Sequence, residues 1–269
     1  MRPPGGPLPF YFGPPDKPLF GCYHKARTAD SRKCAVVICQ PVGHEYINCH
    51  RALRQLAARL SEAGFPVLRF DYYGCGDSSG NAEEVRISQW LEDISTAISE
   101  ARSRTGLVPV CLVGLRLGGA LAMMASSQRG DIESLILWDP VVDGKSYLDG
   151  LLSLQKELLR FRPKPRGGYK SPAYLDIVGF PLPHCLYTEL EMLNLLTLTE
   201  RPAKNLLFIQ SEPATGEKAL RDHLRQTKAR LEYQRLEIPQ IWLPTEDGSL
   251  LVPSEALKSV VSWASRRYS

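Results

Sequence analysis

Residues 110–122, VCLVGLRLGGALA, set an arginine where the spacing asks for a nucleophile. Val110–Val113 is a short apolar run. Gly114-Leu115-Arg116-Leu117-Gly118 is a tight glycine turn, and the small residues after it can wind into a helix. Strand, sharp turn and helix in that order lift a serine above a sheet in G-x-S-x-G enzymes. Here the apex is Arg116. A guanidinium stays protonated until the pH passes ~12, so it cannot attack a carbonyl. It can bind an anion or stabilise developing negative charge, and free N–H groups at a helix start favour the same partner. Leaving a buried arginine unpaired is strongly unfavourable, so some anion is expected beside it. Asp139, at the carboxyl end of the neighbouring apolar run, is the first candidate. Asp71 and Glu45 are alternatives, and so is a ligand carboxylate or phosphate.

Two further residues could carry chemistry. Cys75 in YGCGDSSG could be a thiol nucleophile with His44 as its base; the plainer reading is a small loop residue and an exposed imidazole. Ser78 and Ser79 follow Asp77 and suit a turn or helix cap. His184 in PLPHC could face a crevice or simply sit at the surface. His24 and His50 read as structural or exposed.

These residues need a scaffold. PFYFG and PLFGCYH, split by the turn-like PPDK, read as a hairpin. CAVVICQP (34–41) has the continuous apolar character of a strand buried on both faces. The spacing of Leu53, Leu56, Ala57 and Leu60 predicts a helix over 47–64 that stops at Gly64. A strand follows at 65–71, then a glycine-rich loop. Trp90, Leu91, Ile94, Ala97 and Ile98 share one face of an amphipathic helix. SLILWDP (134–140) is another strand. The alternation predicts parallel βαβ connections. It breaks over 141–203, where helical pieces flank RPKPRGGYKSP, and resumes with a strand at 205–210, a helix at about 214–229, a strand at 240–244 and a final helix at 253–266.

Composition removes several function classes. Of 269 residues, 43% are hydrophobic and 23% charged, an ordinary globular balance. The net charge of +4 comes from scattered residues, with no dense basic run for nucleic acid. The seven cysteines lack C-x-x-C spacing, against a zinc site or a disulfide framework. The proline-rich first residues have no apolar signal core, and no apolar stretch reaches the ~18–20 residues of a membrane span. A cytoplasmic protein is the expectation.

The order of elements resembles the α/β-hydrolase superfamily over nearly the whole chain. FPVLRFDYYGCGDSSG is similar to the strand and loop where serine-aminopeptidase-like members carry D-x-x-G-x-G-x-S. QPVGHEY stands where their oxyanion loop follows the third strand. VGLRLGGALA, with LILWDPVVDGKSYLDGLLSL and VGFPLP, resembles a subgroup of exosortase-system-associated hydrolases of the second type. The resemblance implies an α/β fold, a mostly parallel sheet of about eight strands flanked by helices. Residues 1–140 and 204–269 would form the core, and 141–203 a helical cap.

It also implies a hydrolase acting on an ester, thioester or amide of a small or acyl-carried substrate, with neither cofactor nor metal. Nucleic acid and a membrane span are not expected. The expected site comprises Arg116, Asp139, His44 and Cys75 as reacting positions, with Gly43, Leu115, Leu117, Gly118 and His184 around the substrate. The chain departs from the family pattern in its triad. Arg116 replaces the serine, and PTEDGSLLVP, after the expected last strand, holds no histidine. The residues after NLLFIQ offer Glu212 and Glu217 but no aspartate. The alternative is therefore a non-catalytic member that binds an anionic or acyl ligand or a partner protein.

Overall fold

The computed structural model describes residues 6–28, 31–160, 174–211 and 216–268. Leu8–Phe12 (β1) and Leu19–His24 (β2) form the antiparallel hairpin. Ala35–Cys39 (β3) is buried at every residue, with Val37 packed on one face and Val36 and Ile38 on the other. That two-sided burial is why its sequence is continuously apolar. Strand and helix then alternate through α1 (Gly43–Glu62), β4 (Val67–Phe70), α2 (Ile87–Thr105), β5 (Val110–Leu115), α3 (Leu117–Arg129) and β6 (Ser134–Trp138). Next come α4 (Gly144–Leu159), a hairpin of β7 (Tyr174–Ile177) and β8 (Phe180–Pro183), and α5 (His184–Glu191). The alternation ends with β9 (Asn205–Gln210), α6 (Glu217–Gln226), β10 (Arg230–Arg235) and α7 (Ser254–Arg267).

Eight strands form one sheet in the order β1-β2-β4-β3-β5-β6-β9-β10. From β4 to β10 every pairing is parallel. Helices α1 and α7 cover one face; α2 and α3 cover the other. On α1 the stripe Cys49, Ala52, Leu53, Leu56, Ala57 and Leu60 is buried, as its spacing predicts. The register pairs Cys39 with Gly114, Leu115 with Trp138 and Trp138 with Ile209. Consequently Gln40, Arg116, Asp139 and Gln210–Ser211 gather at the carboxyl ends of adjacent strands, where open α/β sheets form their crevices.

The sequence expectations fail locally in three places. The apolar run at 240–244 is not a strand: Gln240–Leu243 closes a turn, Leu243 N–H to Gln240 C=O at 3.1 Å, between Pro239 and Pro244. Two prolines within six residues remove two ladder donors. The eighth strand is instead β10, RLEYQR, a half-exposed edge whose polar residues disguise it. Helix α1 starts at Gly43 rather than at Ile47, taking His44 and Glu45 into its first turn. Segment 141–203 holds the β7–β8 hairpin beside its helices, and its RPKPRGGYKSP stretch lies outside the described residues.

Candidate functional site

Arg116 occupies the single residue between β5 and α3, with φ 54° and ψ −125°. Left-handed backbone at a non-glycine residue is strained unless its surroundings hold it. Here they do: the Arg116 N–H donates to the Trp138 carbonyl at 3.1 Å, and its own carbonyl accepts from Gly119, Ala120 and Val141. The glycines are needed for contact. A Cβ at Gly118 would lie 2.3 Å from the Cys39 carbonyl oxygen, and one at Gly114 would lie 2.5 Å from the Gly119 Cα. Gly118 thus lets α3 press on the sheet and does not reach a ligand.

The arginine's partner is Glu45, not Asp139. Arg116 Nε lies 3.0 Å from Glu45 Oε1, with the glutamate side chain fully buried and the arginine side chain one-fifth exposed. Tyr147 Oη donates to the other Glu45 oxygen at 3.1 Å. The guanidinium carbon stands 4.6 Å from the Trp242 ring centre and 5.7 Å from that of Tyr147. Burial by itself would lower the Arg116 pKa, but Glu45, Tyr147 and Asp139 together outweigh it and the net shift is upward.

Asp139 gives Arg116 only its backbone carbonyl, at 3.5 Å from Nη1. Its carboxylate is taken by Ser211, whose N–H donates at 2.8 Å and whose hydroxyl donates to the other oxygen. Asp71 is engaged too, accepting from Gln40 Nε2 at 2.8 Å and from the Asp77 N–H at 3.1 Å. Ser78 Oγ donates to the Asp71 carbonyl and accepts from the Phe20 N–H, the turn role its position suggests.

A cavity of about 200 Å³ opens at the strand ends, predominantly apolar, with Gly43, His44, Cys75 and Leu117 in its walls beside α2, α4, β8 and α5. Arg116 and Trp242 are not among its lining residues: the guanidinium lies off to the side, against Glu45 and Trp242. His44 is nine-tenths buried in the wall and has no hydrogen bond among the described residues. Its pKa is lowered by burial and by Arg116, with Glu45 opposing, so the ring is neutral at pH 7.

The structure brings Cys75 and His44 to the same cavity, but no hydrogen bond joins them. Burial, with Asp71 and Asp93, pushes the Cys75 thiol up to about 12. A thiol nucleophile needs its thiolate, and this shift keeps the Cys75 thiol protonated at neutral pH. Alkylation of Cys75 by iodoacetamide at pH 7.5 should run roughly two to three orders of magnitude slower than that of a free thiol, read by mass spectrometry.

Two further expectations are corrected. Leu115 is buried with Val113 and Trp138 on the α1 side of the sheet, away from the cavity. His184 starts α5 exposed and does not line the cavity. Among the remaining candidates, His223 Nε2 meets the Leu198 carbonyl at 2.7 Å, and Glu217 accepts from Tyr233 Oη at 2.6 Å. Glu212 lies outside the described residues. Residues 236–253, which follow the true last strand, also lack histidine; they deliver Trp242 to Arg116 instead. Trp242 was hidden by the misplaced strand.

The profile of the family described as serine aminopeptidase, S33, matches residues 31–232. The chain belongs to this family. Its fold is that of the α/β-hydrolases. An esterase from Pyrococcus furiosus, Pf2001, superposes with a TM-score of 0.66 over 97% of this chain and 90% of its own, at 16% identity. Est1E from Butyrivibrio proteoclasticus, solved with ferulic acid bound, gives 0.62 over 96% of both chains at 17% identity. Among curated proteins, human ABHD12B is 32% identical over 123 residues, 44% of this chain and 32% of its own. Human palmitoyl-protein thioesterase ABHD10, mitochondrial, is 34% identical over 84 residues, 31% of this chain and 26% of its own. The matches therefore span about a third or less of those relatives. No helix among the described residues is long and apolar enough to cross a membrane.

Proposed function

We propose that the protein binds an acyl or other apolar ligand in the cavity at its strand ends and forms no acyl-enzyme at the elbow. Residues 1–140 and 204–269 serve as the core, and 141–203 as a cap over the ligand. The observation that carries this reading is the engagement of Arg116. Its charge is neutralised by Glu45 and its face is covered by Trp242, so the apex holds neither an attacking oxygen nor a free cation for substrate. Ligand contacts fall to Gly43, His44 and Leu117 in the cavity wall. Family membership and the esterase-like fold support an acyl-type ligand, as does the apolar lining.

A second reading keeps the chemistry: hydrolysis of an ester or thioester by water, with His44 as general base. It is favoured by the neutral imidazole in the cavity wall, which has no hydrogen bond among the described residues, since a base must be unprotonated to accept a proton. A fluorophosphonate serine probe and nitrophenyl acyl esters test both readings. The binding reading expects no labelling and no turnover above the uncatalysed rate. Turnover without labelling, lost in His44→Ala, would favour the water route; an acylated serine would refute both. Arg116→Ser should restore no esterase activity, because 236–253 still supplies no histidine.

A further inference from the structure

We infer that the cavity selects a compact apolar group of roughly six to eight carbons, a short acyl chain or a single ring, with its polar end at His44. This rests on the ligand-binding reading above and narrows it to a size class. The first support is volume. A dry cavity of ~150 Å³ lined by aliphatic and aromatic side chains accommodates benzene. The space here is about 200 Å³, enough for a little more than one such ring and far short of a sixteen-carbon chain.

The second support is the character of the walls. Val85, Trp90, Leu182 and Leu186 line the cavity, and each is at least nine-tenths buried. Trp90 is also pinned by its indole N–H, which donates to the Tyr73 carbonyl at 3.2 Å. Close-packed walls of this kind do not expand freely to admit more methylenes. The third support is polarity. The lining is mostly apolar, yet His44 is nine-tenths buried in it with no hydrogen bond among the described residues. A buried polar group of this kind favours a ligand that brings one oxygen for it. The cavity also has a mouth, so a longer chain can enter, but its excess carbons remain in water and add no affinity.

Calorimetric titration of the full chain with straight-chain carboxylic acids, butanoic to hexadecanoic and kept below micelle formation, tests this. Affinity should rise about fourfold for each added carbon while methylenes are being buried, and level off near eight carbons. Ala82 lines the cavity from a half-exposed 3-10 turn, so Ala82→Phe should fill space without disturbing the core and move the plateau to shorter acids. Leu186→Ala should move it to longer ones. An affinity that climbs at the same slope to hexadecanoic acid overturns the size limit and leaves ligand binding standing. A plateau unmoved by Ala82→Phe also overturns the assignment to this cavity. Absence of heat with every acid at both ~10 and ~35 °C, where the heat-capacity change of apolar burial would make binding visible, overturns both the inference and the binding reading beneath it.

Discussion

Arg116→Ala should destabilise the protein by about 3–5 kcal/mol, the usual cost of stranding one member of a buried ion pair. Glu45 decides the size of this effect more than the arginine does. Glu45 is fully buried in the first turn of α1, and its two oxygens are satisfied by Arg116 Nε and Tyr147 Oη. Removing the guanidinium leaves a carboxylate with one neutral donor and no countercharge. The same substitution uncovers the face of Trp242, on the loop after β10. Three separate parts of the chain therefore lose their common contact. Arg116→Ala with Glu45→Leu should recover about half of the loss or more, because replacing both charges removes the stranded group. What stays lost is the Tyr147 hydroxyl's acceptor and the arginine's contact with Trp242. Urea unfolding of wild type and variants, compared at equal m-value, reads this directly. An unchanged midpoint in Arg116→Ala would mean that the arginine is held for something other than Glu45.

The central scaffold was legible because its signals are redundant. β3, β5, β6 and β9 are short apolar runs, and the helices between them carry their apolar residues at helical spacing, so each element supports the identification of the next. The Arg116 turn was legible for a related reason: Gly114 and Gly118 mark close approach wherever they occur. Partner choice was not legible. Asp139 has the right position along the chain to face Arg116, but Ser211, seventy-two residues later, takes its carboxylate. Glu45 became available only because α1 begins at Gly43, and no N-cap side chain in the sequence announces that start. β10 escaped because an edge strand needs little burial, whereas Ile241 and Trp242 looked like a strand because they are buried for another purpose. Local pattern reports how apolar a segment is; it does not report what the segment packs against.

Asp139→Asn should change the pH dependence of stability. Burial raises the Asp139 pKa to about 6, against the lowering effects of the two Ser211 bonds and Arg116. In the unfolded chain it titrates near ~3.9. Between those values the folded state keeps a proton that the unfolded state releases. The contribution of Asp139 to stability is therefore complete below pH ~4 and falls as the pH rises through about 6, by roughly 3 kcal/mol in all. The wild-type curve will not display this alone. Asp93, also raised to about 6 by burial, runs in the same direction. His24, lowered to about 4 by burial and then by Arg69, Arg27 and Arg54, runs in the opposite one, since acidification charges a ring that the fold keeps neutral.

The difference between Asp139→Asn and wild type isolates one group. Asparagine is neutral throughout, keeps an oxygen for the Ser211 N–H, and offers its own N–H to the Ser211 hydroxyl oxygen. Relative to wild type, the variant should gain about 3 kcal/mol between pH 4 and pH 8. Ser211→Ala should do the reverse to the acid: with one donor to the carboxylate gone, its pKa climbs further and the loss extends to higher pH. A difference curve flat across this range would show that Ser211 and Arg116 together hold Asp139 ionised in spite of its burial. The strand-end cluster would then keep its charge down to pH ~4 instead of losing it below about 6.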